Sequence, residues 1–180
     1  MDIQKTEIDG LLIFTPRKFE DERGYFFESF NQREFNELIG REVIFVQDNE
    51  SCSHKNVLRG LHFQSAPFEQ GKLVRVARGA VIDIAVDIRK NSKTFGKWHS
   101  ELLSAENGKQ MWIPEGFAHG FISLEDNTQF LYKCTNYYSP QHENTIIWND
   151  QTLNINWGAI DHPIISEKDL HGKTIELFNF

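Results

Sequence analysis

An all-β fold, either a sandwich or a closed barrel, is what this sequence predicts. Three observations carry that reading. Aromatic residues make up 13% of the chain, including 15 Phe, and aromatic and β-branched side chains favour strands. Residues 81–88, VIDIAVDI, alternate Ile82, Ile84, Val86 and Ile88 with Val81, Asp83, Ala85 and Asp87. That is a period of two with one strongly apolar face. Turn signals recur at Gly79, Asn91-Ser92, Asn107-Gly108, Pro114-Glu115-Gly116 and Asp126-Asn127, a spacing typical of sandwiches and barrels.

In chain order, Ile3 to Pro16 reads as a first strand holding the turn Asp9-Gly10. Asp21 to Gly24 marks a second turn, and Tyr25 to Phe30 reads as extended. The clearest helix follows. Asn31 is a good N-cap, Glu34 sits where a capping box needs it, Phe35, Leu38 and Ile39 share a face, and Gly40 closes it. Val43 to Asn49 is strand-like, and Glu50 to Asn56 reads as a polar loop. Strands are then expected at 57–64, 72–78, 80–88, about 97–103, 110–113, 118–124 and 128–135. The last 45 or so residues are less regular. Ser166 to Asp169 looks like the first turn of a short helix ended by Gly172, and Thr174 to Phe180 reads as an edge strand or a cover for one.

The 180 residues suit one domain spanning 1–180, with the barrel core at about 43–150. Hydrophobic residues at 39% and charged residues at 25% are ordinary for a soluble protein. The net charge of −7 argues against a nucleic-acid or membrane-surface binder. A few local Arg and Lys can still hold an anionic small ligand. Cys52 and Cys134 form no CxxC, the N-terminus MDIQKTEIDG is too polar for a signal peptide, and no run approaches a membrane span. A cytoplasmic setting is expected.

Two stretches carry polar residues where a small barrel would bury them. In Val57 to Gly79 these are Arg59, His62 and Lys72; Gly108 to Phe121 adds His119. Gly108, Pro114, Gly116 and His119 fit the second motif of cupin-type jelly rolls, and Gly60 to Gln64 with Gly79 fits the first poorly. Gln64 stands where a metal-binding cupin has its second His, so no metal site is expected, because Zn and Fe sites need three or four N, O or S ligands. His62 is then either a packed core histidine or a general base. An inward Lys72 is costly unless it meets an anion. Gly60 is placed to kink the strand so that Arg59 and His62 both reach the pocket despite opposite parity. Tyr132 shares a strand face with Phe130 and Cys134, as a core residue or a proton donor. Glu28, Gln47 and Asn49 are polar residues in aromatic or apolar surroundings, as ligand contacts or as an outward face.

Four strings, FEDERGYFFESF, FVQDNESCSHKNVLRGLHFQ, QGKLVRVARGAVIDIAVDIRKNSKTFGKW and MWIPEGFAHGFISLEDNTQFLYKCTNYYSP, together resemble the dTDP-4-dehydrorhamnose 3,5-epimerases. The likeness runs over nearly the whole chain. It implies a cofactor-free jelly roll with a few short accessory helices, working as a homodimer. The implied reaction converts dTDP-4-dehydro-6-deoxy-α-D-glucose to dTDP-4-dehydro-β-L-rhamnose, on the way to dTDP-L-rhamnose and a bacterial surface polysaccharide. By this resemblance His62 is the proton acceptor, Tyr132 the proton donor, and Lys72 lies beside the ketone oxygen. Asp169 pairs with His62. Arg23 and Glu28 contact the nucleotide, with Phe26 stacking nearby. Gln47, Asp48, Asn49, Arg59, His119, Glu143 and Lys168 fall on substrate-contacting positions. Three rivals stay open at this point. They are a mono-epimerase or 3,4-ketoisomerase on the same fold, a metal-dependent cupin, and a non-catalytic sugar-nucleotide binder.

Overall fold

A computed structural model describes residues 1–160 and 162–180. The chain builds a jelly roll of two facing sheets. The expected first strand is a hairpin of β1 (Asp2–Lys5) and β2 (Leu12–Thr15). A small separate hairpin follows, β3 (Phe19–Asp21) with β4 (Gly24–Phe26), and the extended run ends there rather than at Phe30. Helix α1 (Gln32–Ile39) is capped as its sequence dictates. The Asn31 side chain accepts from the Arg33 and Glu34 backbone N–H groups, and Gly40 closes the helix in the left-handed region at φ 72°. The capping box is not completed, because the Glu34 carboxylate takes the N-terminal ammonium at 3.1 Å instead.

The remaining strands are β5 (Gln47–Ser53), β6 (Val57–Gln64), β7 (Lys72–Arg78), β8 (Ala80–Asp87), β9 (Trp98–Ser104), β10 (Gln110–Ile113), β11 (Phe117–Ser123), β12 (Thr128–Cys134), β13 (Glu143–Thr145) and β14 (Ile164–Ile165). From residue 57 to 135 their ends match the strand bounds read from the sequence to within one residue. One sheet runs β1-β2-β10-β7-β12-β5, and the facing sheet runs β13-β6-β11-β8-β9 with β14 alongside β6.

The strand expected at Val43 to Asn49 is offset, since residues 43–46 are not strand and β5 begins at Gln47. Residues 50–53 are strand, not loop, because β5 pairs with β12 along its whole length, from Gln47↔Cys134 to Ser53↔Thr128. Its polar side chains conceal the strand. Of the two readings of the tail, the strand is not formed and the cover is: Ile175–Leu177 is a 3₁₀ turn, and Phe178 and Phe180 pack on Phe63 of β6. Among the described residues no helix is long and apolar enough to cross a membrane.

Between the sheets lie Leu11, Ile13, Val74, Val76, Val81, Ala85, Met111, Phe121 and Phe130. Phe121 and Phe130 stack face to face at 4.2 Å between ring centres. Both outer faces are also covered. Phe35 of α1 packs with Phe14, Leu73 and Trp112 on one, and Trp157, Ile175 and the tail pack with Leu61, Phe63, Ile84 and Val86 on the other. Strand β8 is therefore buried on both faces, not on the single apolar face its alternation suggested. Its Asp83 and Asp87 are both 0% exposed. Asp87 is satisfied by Arg89, Ser92 and Thr94; burial pushes its carboxyl up, but these hydrogen bonds outweigh burial and bring it down to about 2.

The feature that shapes the interior lies on β6. His62 pairs with His119 and Arg59 with Phe121, so the β6–β11 register slips by one residue between them. Arg59 and His62 thus face the same side although three residues apart. Gly60 permits the slip: its φ is 129°, and a Cβ there would stand 2.5 Å from the Gly120 Cα. Gly60→Ala is expected to lose at least about 1–3 kcal/mol in urea unfolding, the cost of a residue forced into a Gly-only conformation. A loss under about 0.5 kcal/mol, the scatter of neutral surface changes, would contradict the slip as described.

Candidate active site

The register slip turns Arg59 and His62 into a cavity between the sheets. It has two adjoining lobes, of about 610 and 250 Å³. Both are lined by His62, Lys72, Tyr132 and Glu143. Arg59, His119, Lys168 and Asp169 line the larger lobe, and Gln47 and Asn49 the smaller. His62 and His119 come from one sheet; Lys72 and Tyr132 come from the facing sheet. Groups on β6 therefore look across the cavity at groups on β7 and β12.

Helix α2 (Glu167–Leu170) supplies the partner of His62. Ser166 caps it, accepting from the Asp169 backbone N–H at 3.2 Å. This places the Asp169 carboxylate, 2% exposed, at 2.6 Å from His62 Nε2. The Gly60 N–H donates to its other oxygen at 3.2 Å. Asp169 is thus both the third residue of a short helix and the carboxylate of a His–Asp pair. Burial pushes its carboxyl up, but the hydrogen bond and charge of His62, the Gly60 N–H and Lys168 outweigh burial and hold it below the usual carboxylate range. An Asp on one imidazole nitrogen fixes the ring and leaves the other nitrogen to take a proton.

A second His–Asp pair lies deeper. His119 Nε2 is 3.0 Å from both oxygens of Asp83. Burial lowers the His119 pKa against the pull of Asp83, and Lys72 and His62 lower it further. The Lys72 pKa is lowered, chiefly by burial, while Cys134, Asp83 and Glu143 pull it back up. Burial also raises the Tyr132 phenol, so its proton stays on at neutral pH. Across the mouth, Glu143 pairs with Lys168 and accepts from the Tyr138 hydroxyl at 2.8 Å. Burial pushes the Glu143 carboxyl up, yet these two bonds and the charges of Lys168 and His62 bring it below its usual value. Among the described residues no group of three or more His, Cys, Asp or Glu is placed to hold a metal ion.

The remaining sequence candidates lie elsewhere in this chain. Asp48 alternates with Gln47 and Asn49, so it faces the other side of β5. There it pairs with Lys133 at 2.9 Å beside an outer cavity of about 510 Å³. Arg23, Phe26 and Glu28 line neither lobe. Arg23 binds Asp21 on the exposed β3–β4 hairpin, where Phe26 is 69% exposed, and Glu28 follows that hairpin, also exposed. Sequence reasoning missed Asp83, Tyr138 and a task of Gln64. The Gln64 amide holds the loop that carries Tyr138, donating to the Phe68 and Tyr137 carbonyls and accepting from the Ser139 N–H at 2.7 Å. An acid in the middle of the apolar strand β8, unlike Asp87 at its end, was the available signal for Asp83.

A family model described as dTDP-4-dehydrorhamnose 3,5-epimerase matches residues 5–176. The chain belongs to this family. Among curated 3,5-epimerases, that of Salmonella typhimurium is 60% identical over 169 residues, covering 94% of this chain and 92% of the relative. That of Shigella flexneri is 57% identical over 173 residues, covering 96% and 95%. Among solved structures, a dTDP-6-deoxy-D-glucose-3,5-epimerase from Legionella pneumophila, in complex with dTDP-4-keto-L-rhamnose, superposes with a TM-score of 0.96 at 48% identity, covering 99% of this chain and 94% of that one. A 3'-monoepimerase from Streptomyces bikiniensis, in complex with dTDP-quinovose, shares the fold at TM-score 0.90 with 31% identity, covering 95% and 86%. The family fold thus carries both double and single epimerases.

The pH dependence of stability tests the His62–Asp169 pair. A carboxyl with a depressed folded pKa stabilises the fold above its unfolded value of about 3.9, and loses that contribution as pH falls through the lower folded value. Wild type should therefore lose more stability than Asp169→Asn between about pH 6 and pH 3, measured by urea unfolding. Parallel curves would remove the pair from the account.

Proposed function

We propose that this chain epimerises C3 and C5 of dTDP-4-dehydro-6-deoxy-α-D-glucose, giving dTDP-4-dehydro-β-L-rhamnose in the cytoplasm without a cofactor. One observation carries the reading: a His–Asp pair on one sheet faces a tyrosine and a buried lysine on the other across a single cavity. The C4 ketone acidifies the protons on C3 and C5, because the carbanion left behind is an enolate. His62 takes the proton from one face of the ring, oriented by Asp169. Lys72 meets the oxygen that gains charge, an interaction whose loss typically costs about 3–4 kcal/mol. Tyr132, which keeps its proton at neutral pH, returns one from the opposite face. Arg59 and Lys168 suit the diphosphate, and Tyr138, beside the smaller lobe, offers an aromatic face to the base. His119, Gln47, Asn49 and Glu143 complete the lining.

The reading includes a homodimer. Arg23, Phe26 and Glu28 stand away from the cavity of their own chain on an exposed hairpin, so a second copy is the natural place for them to meet a nucleotide. The outer cavity beside Asp48 and Lys133 lies next to Tyr132 and Asn49 and can receive such a segment.

Incubation with the substrate in D₂O, followed at C3 and C5 by NMR, tests the reaction. Deuterium with inversion at both carbons is expected. Exchange at C3 alone would make the chain a single epimerase like the Streptomyces bikiniensis relative. Tyr132→Phe should slow formation of the inverted product by roughly 10²–10⁴-fold, the usual worth of a general acid; unchanged turnover would remove Tyr132 from the mechanism. Mixing inactive His62→Ala with Arg23→Ala chains tests the dimer. If each hairpin serves the other copy, activity returns to about a quarter of wild type, since half the pairs are mixed and each has one intact site. No recovery would place the hairpin's contacts within its own chain.

A further inference from the structure

Asp83 lies on β8 between Val81 and Ala85, both part of the barrel interior. Its carboxylate is wholly buried and lines neither lobe of the cavity, so it cannot touch a substrate. Among the described residues its only side-chain hydrogen-bond partner is His119 Nε2, 3.0 Å from both oxygens. A sealed carboxylate with one neutral partner is costly; it persists where a positive charge stands near it. The candidate is Lys72, which enters from the facing sheet and lines the same lobe as His119, the partner of Asp83; the charge of Asp83 pulls the Lys72 pKa up against burial. The other ionisable groups around Lys72 are Cys134 and Tyr132 on β12, Glu143 on β13, Lys168 and Asp169 on α2, His119 on β11, and Arg59 and His62 on β6. Of the carboxylates among them, Glu143 is already paired with Lys168 and Asp169 with His62. Asp83 has no such competing cation.

We propose that Asp83 is a positioning residue of the reaction. Its carboxylate holds the His119 imidazole with the Nε2 proton turned into the barrel, and it is the buried counter-charge of the Lys72 ammonium. This rests on the epimerase reading, in which Lys72 must be cationic when the enolate forms. Without Asp83, burial acts on Lys72 unopposed from that side and the ammonium gives up its proton at lower pH. His119 also loses the group that fixes its tautomer.

The test has two parts, and neither depends on the other. In wild-type protein labelled with ¹⁵N-histidine and free of substrate, His119 Nε2 should be protonated across the neutral range. An unprotonated Nε2 overturns the proposal even if Asp83→Asn fails to fold. In Asp83→Asn, the alkaline limb of the kcat/KM profile should move to lower pH by about one unit. At neutral pH, kcat should fall by about tenfold or more with KM changed by less than about threefold. A limb that stays in place overturns the proposal whatever the rate, because a merely structural defect lowers kcat without moving it. Failure of the epimerase reading would show separately, as wild-type protein without exchange in D₂O.

Discussion

The cavity depends on one contact of long sequence range, the Asp169 carboxylate on β6. It reaches His62 Nε2 and the Gly60 N–H at once. It can do so only because Ser166 caps a helix of four residues and turns the carboxylate inward, while Gly60 lets the strand slip and bring His62 to meet it. Each part is weak alone. A four-residue helix has little stability of its own, and the left-handed backbone at Gly60 is open to glycine alone at ordinary cost. Together they place a carboxylate behind an imidazole on the wall of a closed barrel, which is the arrangement a carbon acid needs from a base.

The interior also balances its charge. Three acids, each with a nitrogen-bearing partner, surround a space built from aromatic and aliphatic side chains. Asp169 meets His62, Asp83 meets His119, and Glu143 meets Lys168. Lys72 is left as the one lysine in the interior without a direct ion-pair partner among the described residues, and burial already draws its pKa down. Such a group is poised to gain from a developing negative charge, and an enolate oxygen is one. The low dielectric that makes the unpaired ammonium costly also strengthens its interaction with that oxygen.

Much of the fold was legible because β8 alternates, β6 to β12 are apolar-rich runs of strand length, and their turns carry Gly, Asn, Asp and Pro. Strand β5 was not, since Gln47, Asn49 and Ser51 turn polar side chains towards the cavity and break the apolar signature. The site was legible in part. The histidines, Lys72 and Tyr132 stand out in their strands, and the partnership of Gly60 with both Arg59 and His62 followed from glycine chemistry. That Asp169 lies near them could be suspected only from family likeness, because a contact between residues 107 apart leaves no local pattern. Asp83 falls on the less apolar face of the 81–88 alternation, and alternation tells which residues share a side but not that both sides are buried. Arg23, Phe26 and Glu28 cluster in sequence but lie apart from the cavity of their own chain, on and just after an exposed hairpin, and nothing in their local pattern marks that separation.

The central claim is that a single base, His62, opens both carbons to exchange. Deuterium wash-in by His62→Ala measures this most directly, with substrate in D₂O and C3 and C5 followed separately by NMR. The account predicts that exchange is lost at both carbons while the folded variant still binds dTDP. Exchange persisting at either carbon at the wild-type rate would show that another group removes that proton, and would contradict the one-base account.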